Sequence, residues 1–314
     1  MKNKIIQGDC LEVMKDIPDN SIDLICIDPP YNIGKAKWDK IDNYIGWMGK
    51  VFKECERILK DNGSFYFFHN DFLQMAELQH WLKKNTKFIF NSMIIWDKGN
   101  FRSLSWKNPS DKSNLRSWFN ICEYCLFYTF QDSTGLKYID REYIAPRNPF
   151  KKELIRARKK AKLSITQVAE KGNFYGKINH GGAVTNWEKG YNIPLKKQWE
   201  LMKIYLPIEK EYEELRKEYE ELRYTHNLNQ NHNNIWKSKK RNNGKIHPTQ
   251  KPLDIIERII KTSSNENDIV LDCFIGSGTT AIAALNCNRY FIGIEKEQKY
   301  VNIANKRIEE HNKL

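Results

Sequence analysis

Apolar positions along the first third of the chain alternate between two spacings. Lys4 to Gln7 reads as a short strand that ends at Gly8-Asp9. Leu11 to Ile17 has helical spacing and stops before Pro18. Ile22 to Ile27 is a nearly continuous apolar run, as expected of a buried strand. Tyr44 to Leu59 returns to helical spacing, and Asp61-Asn62-Gly63 predicts a turn into a strand over Ser64 to Phe68. A helix is expected over Phe72 to Leu82, and buried strands over Phe88 to Trp96 and Ile121 to Phe130. This alternation predicts an α/β sheet with helices on both faces.

The pattern breaks twice. Lys98 to Trp118 has no period, and a loop of that length is usually functional or disordered. From about Pro149 to Asn243 the chain is mostly helical and basic. Strands are then expected over 268–272 and 290–294, with helices over 279–285 and 300–310. One α/β domain, made of 1–148 and 246–314, is therefore expected to be interrupted by a helical insertion over 149–245.

The 314 residues carry a formal net charge of +13, and 40% are hydrophobic, enough for a real core. The positive surplus favours polyanion partners, although a Lys- and Asn-rich proteome would also produce it. The 7 cysteines contain one lone Cys122-x-x-Cys125 and no second pair at metal-ligand spacing, so no metal is expected. Cys26 and Cys273 end apolar runs and read as small core residues. Free thiols without an export signal predict a cytoplasmic setting. No apolar stretch has the length of a bilayer span, so no membrane partner is expected.

Two short motifs carry candidate chemistry. Asp28-Pro29-Pro30-Tyr31 follows the buried strand Ile22 to Ile27. It offers a carboxylate, carbonyls held by prolines and an aromatic face, a set suited to an exocyclic amino group on a flat base. Alone, it also reads as an Asp-initiated turn. Far downstream, Asp272-Cys273-Phe274-Ile275-Gly276-Ser277-Gly278-Thr279-Thr280 is strand, glycine turn and helix start, with Glu295 ending the next strand. Such a turn can cradle a cofactor at the helix N-terminus, or simply connect strand to helix.

Together these motifs resemble the beta class of S-adenosylmethionine-dependent amino DNA methyltransferases, in which the catalytic motif precedes a recognition region and the cofactor motif comes last. His247-Pro248-Thr249-Gln250-Lys251-Pro252 resembles the segment leading into the cofactor motif. The resemblance covers roughly 1–148 and 246–314 and implies a Rossmann-like methyltransferase sheet. It implies that Asp28 and the Pro29 carbonyl accept the two amino protons of a flipped base, with Pro30 fixing the turn and Tyr31 stacking. It places Asp272, Phe274, Gly276 and Gly278 around S-adenosylmethionine, Glu295 on its ribose and Asp9 on its adenine. Lys251 and Thr279 are candidates for its carboxylate. Asp9 otherwise reads as a turn aspartate. An Asp at position 28 resembles adenine-N6 members, whereas cytosine-N4 members more often carry Ser.

Ile155 to Glu170 resembles the start of a Cro-like helix-turn-helix, with Ser164 as N-cap, and Thr185 to Gly190 resembles its end. The stretch from Lys171 to Gly182 is longer than the usual turn. The resemblance implies base contacts from Asn179, His180, Thr185 and Asn186, and phosphate contacts from Lys159, Lys160 and Lys162. The alternative is an insertion that only supports the fold. Lys35, Lys239 and Arg241 are further candidates for DNA contact, or solvated loop cations. Tyr212, Leu215, Tyr219 and Leu222 follow heptad spacing, for packing on the insertion or on a second subunit. The expected partner is double-stranded DNA. A homodimer and a cognate restriction endonuclease are further partners consistent with this reading. An RNA methyltransferase and a DNA-binding regulator with an inactive enzyme domain remain as competing functions.

Overall fold

The computed structural model describes residues 2–34, 39–99, 121–131, 144–174, 181–227, 233–238 and 250–313. The N-terminal elements are β1 (Lys4–Gln7), α1 (Cys10–Val13), β2 (Ile22–Ile27), α2 (Tyr44–Ile58), β3 (Leu59–His69), α3 (Phe72–Asn85), β4 (Ile89–Asp97) and β5 (Cys122–Thr129). Next come α4 (Ile144–Arg147), α5 (Pro149–Lys160), α6 (Ile165–Gly172), α7 (Gly182–Lys189), α8 (Lys196–Lys203) and α9 (Tyr212–Glu221). The chain ends with β6 (Ile235–Lys237), α10 (Leu253–Ser263), β7 (Ile269–Asp272), α11 (Thr279–Asn286), β8 (Tyr290–Glu295) and α12 (Gln298–His311).

These elements form two compact units, one of Met1–Phe130 with Thr225–Leu314, the other of Gln131–Tyr224. The insertion expected over 149–245 and the second unit share residues 149–224.

The first unit holds an 8-stranded sheet in the order β1-β8-β7-β2-β3-β5-β4-β6. Strands β1, β8, β7, β2 and β3 are mutually parallel, and β5 runs antiparallel to β3 and β4. Alternate residues of β3 face opposite ways, as the strand period requires. Phe65 and Phe67 join the core under α2 and α3, while the Tyr66 hydroxyl meets Ser263 of α10 at 2.7 Å. Helices therefore cover both faces, and the Rossmann-like α/β class holds.

One element differs from expectation. Asp61-Asn62-Gly63 does not separate a turn from a strand: β3 begins at Leu59. Its pairing with β2 jumps from Ile22↔Leu59 to Leu24↔Ser64, so the extra residues are absorbed as an irregularity within the strand.

The second unit packs its helices around Phe150, Leu154, Val184, Trp187, Trp199 and Leu215. Ser164 caps α6 through a reciprocal capping box with Gln167. Arg158 of α5 pairs with Glu188 of α7. Leu215 and Tyr219, half of the heptad positions, are buried in this unit's own core.

Among the described residues, no helix is long and apolar enough to cross a membrane.

Candidate active site

Five parallel strands end on the same edge of the sheet, and the residue at or just beyond each end is polar. In sheet order these are Asp9 after β1, Glu295 of β8, Asp272 of β7, Asp28 after β2 and His69 of β3. Strands β7 and β2 are neighbours whose connections leave in opposite directions along the sheet, toward β8 and β3. A crevice is expected outside such a switch point. A cavity of about 690 Å³ lies there, lined by Asp9, Asp28, Tyr31, Asp272, Gly276 and Glu295, among others.

The glycine turn forms one end. Asp272 is buried; its carboxylate accepts from Thr280 Oγ1 at 2.6 Å and from the Phe274 amide at 3.0 Å. Burial pushes its pKa up to about 7, against those two donors. Glu295 accepts from the amides of Gly276 at 3.0 Å and Glu297 at 2.8 Å, which fixes its carboxylate beside the turn. Phe274 packs on Trp47 with ring centroids 5.7 Å apart. Asp9 caps α1 through the Leu11 amide, lies 3.6 Å from Lys296 and borders the cavity.

Gly278 is outside the cavity lining. At φ +84° it needs the glycine backbone, and a Cβ there would stand 3.0 Å from the Ala304 Cβ. It packs the turn closely on α12. Thr279 does line the cavity, and its buried Oγ1 has no hydrogen-bond partner among the described residues.

The tetrapeptide forms the other end. Tyr31 donates to Asp28 Oδ1 at 2.6 Å, and Lys251 Nζ lies 2.6 Å from Asp28 Oδ2. Burial foremost, then the Asp28 charge, pushes the Tyr31 hydroxyl far up, so it remains a donor. The Tyr31 ring is only 6% exposed and packs on His69 at 4.8 Å, rather than offering the open stacking face expected. Lys251 also differs from expectation. Its ammonium is buried against Asp28 and lies 3.3 Å from Glu123 Oε2, so it is paired with two carboxylates of the protein itself. Burial opposes its charge, but Asp28 and then Glu123 outweigh that and raise its pKa. For Glu123, burial pushes up, while Lys251 and Lys98 pull down further and hold it at about 2.

The loop after the tetrapeptide is braced by groups that sequence reasoning missed. Asp39 is buried and accepts from the amides of Asn32 at 2.8 Å and Ile33 at 3.2 Å. The Tyr44 hydroxyl donates to the Pro30 carbonyl and lies 3.1 Å from His69 Nε2. His69 Nδ1 lies 3.1 Å from both the amide nitrogen and the carbonyl oxygen of Asp71. Burial lowers the His69 pKa to about 4. Two signals were available. Glu123 is the one charge in the run Ile121 to Phe130, and His69 follows an apolar strand just as Asp28 does.

In the helical unit, Lys159 and Lys160 end α5 and Lys162 follows it, all exposed; Thr185 and Asn186 lie on α7. Lys160 pairs with Glu209 at 3.2 Å. Lys35, Asn179, His180, Lys239 and Arg241 lie outside the described residues.

The chain is 30% identical over 310 residues to the Type II methyltransferase M1.MboII of Moraxella bovis, covering 96% of this chain and 95% of that protein. It is 28% identical over 316 residues to the DNA adenine methyltransferase YhdJ of Escherichia coli, covering 97% and 82%. The crystal structure of an M1.HpyAVI–SAM complex shares the fold, with a TM-score of 0.52 at 21% identity, over 97% of this chain and 98% of that one. The model of a DNA methylase family matches residues 22–306, and the chain belongs to that family.

Proposed function

We propose that the protein transfers a methyl group from S-adenosylmethionine to the N6 amino group of adenine at a specific site in double-stranded DNA. The observation that carries this reading is the single cavity joining the Asp28 tetrapeptide to the glycine turn and Glu295. The residues suit the cofactor. The unpartnered Thr279 Oγ1 offers a hydrogen bond to a polar ligand, Glu295 retains lone pairs for ribose hydroxyls, and the Trp47–Phe274 pair supplies an apolar wall.

When bound, S-adenosylmethionine would supply an electrophilic methyl on its sulfonium, which passes to a neutral amine as the thioether leaves. The chain must make that amine nucleophilic, because the adenine ring withdraws its lone pair. Asp28 accepts one amino proton and the Pro29 carbonyl the other, which returns electron density to nitrogen. Proline fixes the carbonyl, and the Tyr44 bond to Pro30 holds the next peptide in place. Most of the rate gain comes from alignment and from dipoles already in position. Asp28 also holds the amino proton that the product loses.

A base paired in a duplex cannot enter this cavity, so the target is flipped out of the stack. The helical unit reads sequence in the manner of a helix-turn-helix, with Thr185 and Asn186 of α7 at base edges and Lys159, Lys160 and Lys162 on phosphates. A nuclease cutting the same site is the natural counterpart of such an enzyme. The buried Leu215 and Tyr219 remove half of the heptad stripe as support for a homodimer.

Cytosine-N4 transfer is the second reading, since the family model spans both base types. Aspartate at position 28 favours adenine. The test is incubation with mixed-sequence DNA and labelled S-adenosylmethionine, followed by nucleoside mass spectrometry. N6-methyladenine is expected, N4-methylcytosine would replace the base assignment, and no labelled nucleoside would overturn the function.

A further inference from the structure

Four charged groups are arranged in sequence, two of which, Asp28 and Lys251, line the cavity. Lys98 bonds to Glu123 Oε1, Glu123 Oε2 faces Lys251 Nζ at 3.3 Å, and Lys251 Nζ holds Asp28 Oδ2 at 2.6 Å. The side chains of Lys98, Glu123 and Lys251 are 8%, 9% and 5% exposed, so no water shell shares their charge. Two cations balance two anions. The strand that carries Glu123 is antiparallel to β3, which is why its first residues reach the edge where the parallel strands end.

Both oxygens of Asp28 already carry a short donor, Tyr31 on Oδ1 and Lys251 on Oδ2. A substrate amino group that needs Asp28 as its acceptor must replace one of them. The Tyr31 ring is buried on His69, but Lys251 has somewhere to go. Glu123 Oε2 is buried and, beyond the 3.3 Å approach of Lys251 itself, has no partner among the described residues. From 3.3 Å, a shift of about half an ångström would bring the ammonium to charge-assisted bonding distance.

We propose that Lys251 is a placeholder for the substrate's amino group: it occupies Asp28 Oδ2 until the base arrives and then passes to Glu123 Oε2. Glu123, fixed through its other oxygen by Lys98, is a positioning residue that receives the displaced ammonium. The exchange keeps the buried ammonium paired throughout, since an ammonium released without a partner would be strongly disfavoured, and leaves Asp28 to the Tyr31 hydroxyl and the neutral amino group. It involves no bond making or breaking. This inference rests on the proposed methyl transfer to DNA, but its first test does not.

That first test is a thermal double-mutant cycle on the DNA-free protein with Asp28→Asn and Glu123→Gln. Each single change leaves Lys251 one carboxylate, so each lowers the melting temperature modestly. Together they leave it none, and the fall exceeds the sum of the two. Should the double variant fail to fold, adding Lys251→Met restores folding if the stranded ammonium is the cause. An additive cycle, or no rescue by Lys251→Met, overturns the inference. The second test is steady-state methylation of DNA. Glu123→Gln lowers kcat about tenfold while the KM for S-adenosylmethionine stays within about twofold, and Glu123→Asp recovers part of the loss. Wild-type kcat in Glu123→Gln overturns the handover. If the unaltered protein methylates no DNA, the functional reading fails, and the thermal cycle still decides whether Lys251 is shared between two anions.

Discussion

The Tyr44 hydroxyl donates to the Pro30 carbonyl at 2.8 Å and so ties the first turn of α2 to the second proline of the active-site loop. Tyr44→Phe would leave the half-buried Pro30 carbonyl and His69 Nε2 each short of a partner. The expected cost is about 1–2 kcal/mol of stability, with a lower kcat because the loop carbonyls lose their anchor. Chemical denaturation and single-turnover methylation measure the two effects separately. Unchanged stability would show that the hydroxyl is replaceable.

Two buried groups should give the stability opposite dependences on pH. His69 titrates near 4 in the fold and about 6.5 when unfolded, so its contribution is present above pH 6.5 and is lost as pH falls through 4, by about 3 kcal/mol. Asp272 titrates near 7 in the fold against 3.8 as a free carboxyl, so its contribution is present below pH 3.8 and is lost as pH rises through 7, by about 4 kcal/mol. The two nearly cancel between pH 4 and 6.5. Urea midpoints should therefore fall with rising pH in His69→Gln, where Asp272 acts alone, and rise with pH in Asp272→Asn. Parallel profiles in the two variants would contradict both assignments.

Gly278→Ala forces a side chain onto a φ of +84° and sets its Cβ 3.0 Å from Ala304. Destabilisation of about 1–3 kcal/mol is expected, from backbone strain and overpacking. Thermal unfolding checks it. Gly278→Ala combined with Ala304→Gly should recover the packing part of the loss and leave the strain.

Glu295→Ala removes the acceptor for the Gly276 and Glu297 amides and, on the proposed function, the ribose ligand. S-Adenosylmethionine affinity measured by calorimetry should fall about ten- to a hundredfold, in line with losing charge-assisted hydrogen bonds. Binding within about twofold of the original would place the ribose elsewhere.

If the helical unit holds phosphates, Lys159→Ala and Lys162→Ala should each reduce the slope of log affinity against log salt by about 1. Lys160, already paired with Glu209, should matter less. Slopes unchanged in all three variants would leave the helical unit without a role on the backbone of DNA.

Most of the parallel sheet was legible because its strands are buried on both faces and read as apolar runs. Ile22 to Ile27 matches β2 residue for residue, and Tyr290 to Ile294 falls one residue short of β8. Asp28, Asp272 and Glu295 were legible by the same logic, since each follows or ends such a run. The position of Lys251 was not, because a motif gives spacing along the chain and says nothing of which neighbouring strand supplies a counter-ion. Glu123 sits opposite Trp96 in an antiparallel pairing whose register no local pattern specifies. The start of β3 was missed because Asp61-Asn62-Gly63 has turn composition, yet pairing with β2 extends through it.

Among the described strands β1 pairs with β8 alone, and Lys4 lies opposite Ile292. Strand β1 therefore has no sheet partner among the described strands until β8 is made. Contacts of such long sequence separation form late and slowly. Asp9, Asp28, Asp272 and Glu295 converge only once that final ladder closes. A chain that stops short of β8 would thus carry the Asp28 tetrapeptide without a completed cavity beside it, and the four carboxylates would come together in one step when β8 pairs.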